Sequence, residues 1–288
     1  MIDRIKPQDF DKAVTLLRNF FKDRNYTEAH VQHRLSILAA CEDPTTIGSF
    51  DYNGQVWPLP QTGQMQLEEE LLRDPNLNSI FTVTTSYRQE ANPVEGRHSL
   101  IFPMFEFESR GEIEDLIQLE ADLCQYLHIV PPQTIAQNFE KLIIKRVNGY
   151  PVIHYEDAAN FFQVQILEAE HEERLQNIFG NVVFLTHFTE DTSPFWNMKR
   201  EEHTAKKVDV IIYGIETIGS AERETDPQMM RQRFYEISDG EYAKLLFAHF
   251  GKERVEQELN EFLAHKFFPR FGGGMGMTRL IRALKLNG

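Results

Sequence analysis

The segment FFPRFGGGMGMTRLIRALK, Phe267 to Lys285, places glycine at 272, 273, 274 and 276, ahead of Arg279. Without a Cβ, such backbone can lie close to a flat or charged group. It is read as strand or turn, with a helix following. A helix beginning there would aim its amide N–H groups at an anion, and Arg279 on its first turn would add positive charge. A glycine-rich turn beside a surface arginine explains the residues equally well when the segment is taken alone.

The surrounding pattern sets a fold class. Phe10, Val14, Leu17 and Phe21 recur at helical spacing, so an amphipathic helix capped by Asp9 or Asp11 is expected to run to about Lys22. FDYNGQVWPLP reads as a hairpin around Asn53-Gly54, and GQMQLEEELLRD as a helix. SIFTVTTSYRQE and LIFPMFEFES are β-branched and aromatic, so they read as two strands joined by the polar loop ANPVEGRHS. Helical spacing returns at Ile113, Leu116, Leu119 and Leu123, and short apolar runs follow at YPVIHY, VVFLTHF and VDVIIYG. EYAKLLFAHF and ERVEQELNEFLAHKFF are again helical. The expectation is an α+β fold, an antiparallel sheet flanked by helices, in one domain over residues 1–288.

Composition narrows the function classes. Hydrophobic residues make up 41% of 288, enough for a substantial core rather than disorder. The net charge of −14 opposes nucleic acid unless a local basic patch overrides it. Cys41 and Cys124 are the only cysteines, which fits a reducing compartment. There is no CxxC or HExxH pattern for zinc, no signal-peptide-like start and no apolar run of ~20 residues. A cytosolic globular protein is expected.

Beyond the glycine segment, two regions carry candidate chemistry. On the hairpin, Arg88 and Glu90 share one strand face, as do Glu106 and Glu108. Phe102 opens the returning strand, and Arg97 and His98 close the loop. A cross-strand ion pair accounts for any one of these residues. Together they could hold a nucleotide, with arginine on phosphate and phenylalanine on the base. VDVIIYGIETIGSAERETD offers Asp209, Glu216, Glu222, Arg223 and Glu224 around Gly214 and Gly219. Carboxylates beside a phosphate site suit Mg²⁺, although an acidic run is more often plain surface.

In this order the pieces resemble the catalytic core of class II aminoacyl-tRNA synthetases, nearest the aspartate/asparagine/lysine branch, from about Phe10 to Leu286. YRQEANPVEGRHSLIFPMFEFE is similar to the second family motif and the glycine–arginine segment to the third. TGQMQLEEEL, PFWNM and VDVIIYGIETIGSAERE resemble segments of asparaginyl enzymes. The resemblance implies that ATP and Mg²⁺ are used. Arg88 would hold the α-phosphate, and Phe102 and Arg279 would sandwich adenine. Arg97 or His98 would reach the pyrophosphate end, with Glu90 and Gly276 completing the ATP site. Glu216, helped by Glu106, would bind Mg²⁺. Gln64 would orient the substrate ammonium, Gly219 would lie beside the amino acid, and Arg223 would read an aspartate or asparagine side chain.

The sequence departs from the family at several points. Gln32 replaces the first-motif proline that shapes the dimer interface. Thr278 and Ile101 replace glutamates, Ser220 replaces a glycine, and Leu67 stands where aspartyl enzymes carry a lysine. No anticodon-binding β-barrel is expected before the first helix. GGGMGMTRL also resembles bacterial AMP-forming asparagine synthetase, and the GRHS loop end its archaeal counterpart. The implied activity is formation of an aminoacyl-adenylate from an aspartate- or asparagine-like amino acid. Transfer would then go to a small acceptor such as ammonia, in a homodimer that uses neither tRNA nor membrane. Transfer to tRNA, a carrier protein or a protein lysine is the first alternative. A non-catalytic binding or regulatory core is the second.

Overall fold

The structure is a computed structural model that describes residues 4–31, 35–38, 44–90, 99–132, 135, 137–192 and 194–287. Helix α1 (Pro7–Lys22) leads into strand β1 (Thr27–Glu28) and the hairpin β2 (Ser49–Tyr52) and β3 (Gln55–Pro58). Helix α2 (Gln64–Arg73) precedes the long pair β4 (Ser79–Tyr87) and β5 (Ile101–Arg110), and α3 (Ile113–Tyr126) follows. Next come α4 (Gln137–Glu140), β6 (Lys145–Val147), β7 (Tyr150–His154), α5 (Tyr155–Phe162) and α6 (Ala169–Phe179). Strands β8 (Val182–Thr189), β9 (Arg200–Glu201), β10 (Thr204–Ile212) and β11 (Ile215–Glu222) complete the middle of the chain. Helices α7 (Pro227–Glu236), α8 (Glu241–Phe250) and α9 (Lys252–Leu263), strand β12 (Arg270–Gly276) and α10 (Met277–Leu286) close it.

One large sheet organises these elements in the order β1-β4-β5-β12-β11-β10-β8-β7-β6, with β9 paired to β10. Its pairs are antiparallel except β1 with β4 and β7 with β8. This is the expected α+β architecture. The glycine segment is a central strand, β12, hydrogen-bonded on both sides to β5 and β11.

Side-chain alternation gives the sheet two unlike faces. On one, Phe81, Phe105, Phe107, Phe271 and Met275 pack against α1, α3 and α10 in an apolar core. Phe21 of α1 centres the aromatic cluster, with its ring 5.0 Å from Phe105 and 5.3 Å from Phe107. The opposite face is divided. At one end Trp196, fully buried, packs among α7, α8 and α9. At the other, Ile153, Val183 and Leu185 pack with α5 and α6. Helix α2 crosses β4, β5 and β12 between them, and the ground beside it is polar.

Two local expectations need correction. Helix α1 starts at Pro7 with Lys6 at its cap and no side-chain cap, so neither Asp9 nor Asp11 caps it. Proline's fixed φ suits the first helical position, and Asp9 then lies in the first turn, favourable to the helix dipole. Strand β4 ends at Tyr87, so Arg88 and Glu90 leave the sheet rather than share a strand face. The Arg88 N–H still donates to Leu100 O at 2.8 Å, and that of Gln89 turns to Thr46 O at 2.9 Å. Arg97, His98, Gln32 and Cys41 lie outside the described residues. Among the described residues no helix is long and apolar enough to cross a membrane.

Glu120 of α3 is buried under the sheet, 1% exposed. Burial pushes its carboxyl up to about 8, against the opposing Ser220 hydroxyl and with Asp209's charge adding to the rise. The folded state therefore keeps a proton that the unfolded chain releases near the ordinary glutamate range, so stability falls as pH rises from about 4.5 to about 8. Glu120→Gln should leave the melting temperature unchanged near pH 4 and raise it by roughly 3–8 °C at pH 9. Equal shifts at both pH values in scanning calorimetry would contradict this placement.

Candidate functional site

The polar face is built where β5, β12 and β11 run side by side. Register sets Gly276 opposite Met104, Gly274 opposite Glu106 and Gly272 opposite Glu108. Sequence alone offers these glycines as room for a ligand. The structure shows instead that the protein's own side chains fill most of that room. The Glu108 carboxylate lies where a Cβ on Gly272 would be, so any side chain there overlaps it. A Cβ on Gly273 would stand 2.5 Å from that of Ser220, and one on Gly274 would meet Met104 at 3.0 Å and Gln64 Nε2 at 3.2 Å. At Gly276 the nearest atom is the Phe102 ring edge, at 3.5 Å.

Past Gly274 the face opens into a cavity of about 770 Å³, measured out to its mouth. Of the expected site residues, Gln64, Arg88, Glu90, Phe102, Glu216, Gly219, Gly276 and Arg279 all line it. They come from five elements and the segment after β4, and are more than 200 residues apart at the extremes, so the fold alone brings them together. The Arg88 guanidinium lies over the Phe102 ring, 5.5 Å from its centroid. Arg88 Nε is buried and has no hydrogen-bond partner among the described residues, a donor suited to an anionic oxygen. Arg279, on the first turn of α10, donates from Nη1 to Glu216 O at 2.7 Å and sits 3.6 Å from the Glu216 carboxylate. This cation is thereby held at the cavity wall, and Thr278 beside it also lines the space.

Below the cavity lies a layer of buried charge. Arg223 donates from Nε and Nη2 to Glu108 Oε1 at 3.2 and 2.5 Å, and from Nη2 to Gln64 Oε1 at 2.6 Å. One turn along α2, Glu68 accepts from Arg270 Nε at 2.9 Å and from Asn197 Nδ2 at 2.9 Å. Burial pushes Glu108 up to about 7, against the pull of Arg223, while the charge of Glu68 adds to the rise. The Glu106 carboxyl is raised by burial too, opposed by hydrogen bonds from Thr62, Thr84 and the Gly63 N–H.

Three of the expected site residues belong to this layer or border it. Glu106 is fully buried, does not line the cavity, and anchors the Thr62–Gly63 turn that starts α2, so it is not placed to help hold Mg²⁺. Arg223 is 1% exposed and is not part of the cavity lining, but it donates to Gln64, which is. Gln64 accepts from Arg223 at its carbonyl oxygen, and its amide side chain also bonds the Glu106 carboxyl. Leu67 is wholly buried with Val31, Leu71 and Ile80, away from the cavity lining.

Sequence reading offered Asp209 only as one of several acids around Gly214 and Gly219. It pairs across β10–β11 with Gly219, and a Cβ on Gly219 would stand 2.9 Å from Glu216 Oε1 and 3.6 Å from Asp209 Oδ1. The two carboxyls thus converge over one glycine. Burial pushes Asp209 up to about 7, opposed by Lys207 at 2.7 Å and reinforced by the charge of Glu216. The seven-residue separation of Asp209 and Glu216 on paired strands was the available signal. No group of three or more His, Cys, Asp or Glu residues suited to a metal occurs among the described residues.

Removing one partner of a buried pair strands the other charge. Arg223→Leu should therefore destabilise the protein by about 3–5 kcal/mol in urea unfolding, and Arg223→Leu with Glu108→Leu should recover most of that loss. An additive double variant would show that the pair is not coupled.

Residues 8–286 match the family model described as tRNA synthetases class II (D, K and N). The asparagine–tRNA ligase of Pelotomaculum thermopropionicum is 24% identical over 291 residues, covering 92% of this chain and 62% of that protein. The aspartate–tRNA(Asp/Asn) ligase of Methanopyrus kandleri is 22% identical, over 74% of this chain and 51% of its own. Among solved structures, the asparaginyl-tRNA synthetase of Pyrococcus horikoshii complexed with asparaginyl-adenylate superposes with a TM-score of 0.75. It is 18% identical and covers 97% of this chain and 65% of its own, a likeness that bears on the fold. The chain spans between half and two thirds of the length of these relatives.

Proposed function

Because the chain belongs to the class II tRNA synthetases of the D, K and N type, we propose that it activates an amino acid with ATP through an aminoacyl-adenylate. The amino acid is aspartate or asparagine-like, in keeping with the asparaginyl and aspartyl relatives. The observation that carries the reading is the convergence of Arg88, Phe102, Glu216 and Arg279 on one cavity. In the reaction the substrate carboxylate attacks the α-phosphorus, the bond from that phosphorus to the bridging oxygen of the β-phosphate breaks, and pyrophosphate leaves while negative charge builds on the phosphate oxygens. Catalysis then consists of positioning and cationic stabilisation, with no protein nucleophile. Arg88 supplies the cation at the α-phosphate, and its buried Nε, which has no partner among the described residues, fits an anionic oxygen. Phe102 and Arg279 flank the adenine. Glu216, at the cavity wall, is suited to Mg²⁺, which would take its carboxylate with phosphate oxygens and would neutralise the phosphates.

For the acceptor we propose a small nucleophile such as ammonia, giving an amide with release of AMP. The net charge of −14 supports this, since it opposes a polyanionic partner. A second reading, transfer to tRNA, has its own support. A cleft beside the cavity, sharing Ser99, Thr278 and Arg279 with it, is lined by Arg4, Lys6, Arg282 and Lys285 against the single acid Asp9. A homodimer is supported by the exposed strand β1 at the sheet edge, open to pairing with a second copy. The presence of Arg88, Glu216 and Arg279 in one cavity speaks against a catalytically silent core.

Pyrophosphate exchange into ATP should occur with at least one of the twenty amino acids, and Arg88→Ala should lower its rate by roughly two to four powers of ten. A normal rate in that variant sinks the site assignment. AMP release measured with ammonium, hydroxylamine or total tRNA at ~0.15 M salt then separates the acceptors. Ammonium-dependent amide supports the small acceptor, and efficient tRNA charging replaces it with the second reading.

A further inference from the structure

The cleft beside the cavity has a volume of about 1050 Å³, measured out to its mouth. Helix α10 forms one wall, where Thr278, Arg279, Arg282 and Lys285 recur at helical spacing over ~10 Å. The segment ahead of α1 forms the other, with Arg4 and Lys6. The lining therefore holds five cations, Arg4, Lys6, Arg279, Arg282 and Lys285, against the one acid Asp9, in a chain whose net charge is −14. Little of this charge is neutralised within the protein. Asp9 pairs with Lys285 at 2.5 Å, and Glu216 with Arg279 at 3.6 Å. Arg282 donates to a neutral carbonyl, Tyr213 O, at 3.1 Å. Arg4 and Lys6, both exposed, form no ion pair with any described residue. Like charges gathered on two walls repel one another, and an anion between them relieves the repulsion.

The place where cleft and cavity join indicates which anion. They share Ser99, Thr278 and Arg279, two hydroxyls and a guanidinium with no carboxylate among them. Thr278 leaves this threshold neutral, where the glutamate usual in the family would repel an anion. The junction lies at the Arg279 end of the cavity, next to Gly276 and the Phe102 ring. Gln64 stands by Gly274, two residues or ~7 Å away along β12. With a nucleotide flanked by Phe102 and Arg279, the cleft meets the nucleotide end, and the activated carboxyl lies away from it. An acyl acceptor has to reach that carboxyl, so it is poorly served by this opening. The leaving group of adenylation is released at the nucleotide end and is a small, multiply charged anion. Arg279 belongs to both spaces, and Arg282 and Lys285 follow it on the next turns of α10. An anion can therefore pass from one cation to the next on its way out.

We propose that this cleft is a second anion site, which receives inorganic pyrophosphate as it leaves the cavity and gives it an exit apart from the amino-acid end. Arg279 hands the anion over, and Arg4, Lys6 and Arg282 hold it. The identity of the ligand rests on the adenylation reading, whereas the site itself is read by binding alone.

The probe is inorganic pyrophosphate with Mg²⁺, titrated by calorimetry into the full chain already saturated with a non-hydrolysable ATP analogue, so that the cavity is filled. One further pyrophosphate should bind. Lys6→Gln with Arg282→Gln should weaken that event roughly 10- to 100-fold and leave the affinity for the analogue within about threefold. Both residues are exposed, so the fold tolerates the change. Lys244→Gln with Lys252→Gln removes the same charge from the exposed surface of α8 and α9 and should change neither affinity. The entry path of the reverse reaction is the exit path of the forward one. Pyrophosphate exchange at low pyrophosphate should therefore slow roughly tenfold in the Lys6 and Arg282 variant. Absence of the second binding event in the wild type, or its equal loss in the α8 and α9 variant, overturns the proposal. An unchanged exchange rate with the binding lost overturns the exit route. Unchanged pyrophosphate binding with weakened binding of total tRNA assigns the cleft to nucleic acid, and the proposal fails. Absence of exchange in the wild type, with the selective binding pattern intact, overturns the adenylation reading and leaves the anion site standing.

Discussion

The Arg223–Glu108 pair lies at the centre of the polar face, and the geometry above it depends on that contact. A guanidinium and a carboxylate removed from water cost several kcal/mol each unless they find each other and further partners. Here the pair recruits Gln64, so a single buried cation just past β11 ties β5 to the start of α2. One turn further along α2, Glu68 binds Arg270 of β12 and Asn197 of the loop before β9. The helix is thus fastened to three neighbouring strands by two cations. The entry turn of α2 is held as well, because Glu106 gathers the Thr62 and Thr84 hydroxyls and the Gly63 N–H.

Above this floor the reactive groups sit at one edge of the sheet. Arg88 leaves the end of β4, Phe102 enters β5, Glu216 begins β11, and Arg279 follows β12 into α10. Antiparallel pairing brings these four strand ends to the same edge. The long strands carry the buried charge in their middles and the cavity at their tips. Regular hydrogen bonding stops at the tips, so backbone and side chains there can face a substrate while the apolar face stays packed against α1, α3 and α10.

Much of this was legible in the chain. Alternation in FPMFEFES separates Phe105 and Phe107, which face the core, from Phe102, Glu106 and Glu108, which do not. Helical spacing identified the buried stripe of α1, though Pro7 rather than an acidic cap begins it. The cavity residues followed from five segments read in order. Partnerships across long separations did not. Arg223 is 115 residues from Glu108 and 159 from Gln64, and no local pattern says that a counter-ion will bury the arginine before a substrate reaches it. Glu106 and Glu108 look alike on the strand, yet one anchors a turn and the other neutralises a cation. Asp209 was one of several acids in an acidic run, and only strand register sets it across from Gly219.

The three glycines at 272, 273 and 274 limit how the gene can drift. Each faces side chains of its neighbours at or inside contact distance, namely Glu108, Ser220, and Met104 with Gln64. Every replacement of a glycine by another amino acid adds at least one carbon, so these positions have no smaller residue to pass through. Ordinary core sites can shrink and regrow through tolerated intermediates, but this strand can accept a side chain only after its partner has already receded. Change at Gly272 must wait for a shorter residue at 108, which in turn strands Arg223. Descendants of this sequence should therefore keep the glycine run and the buried pair together or lose them together, even where the surrounding helices have diverged.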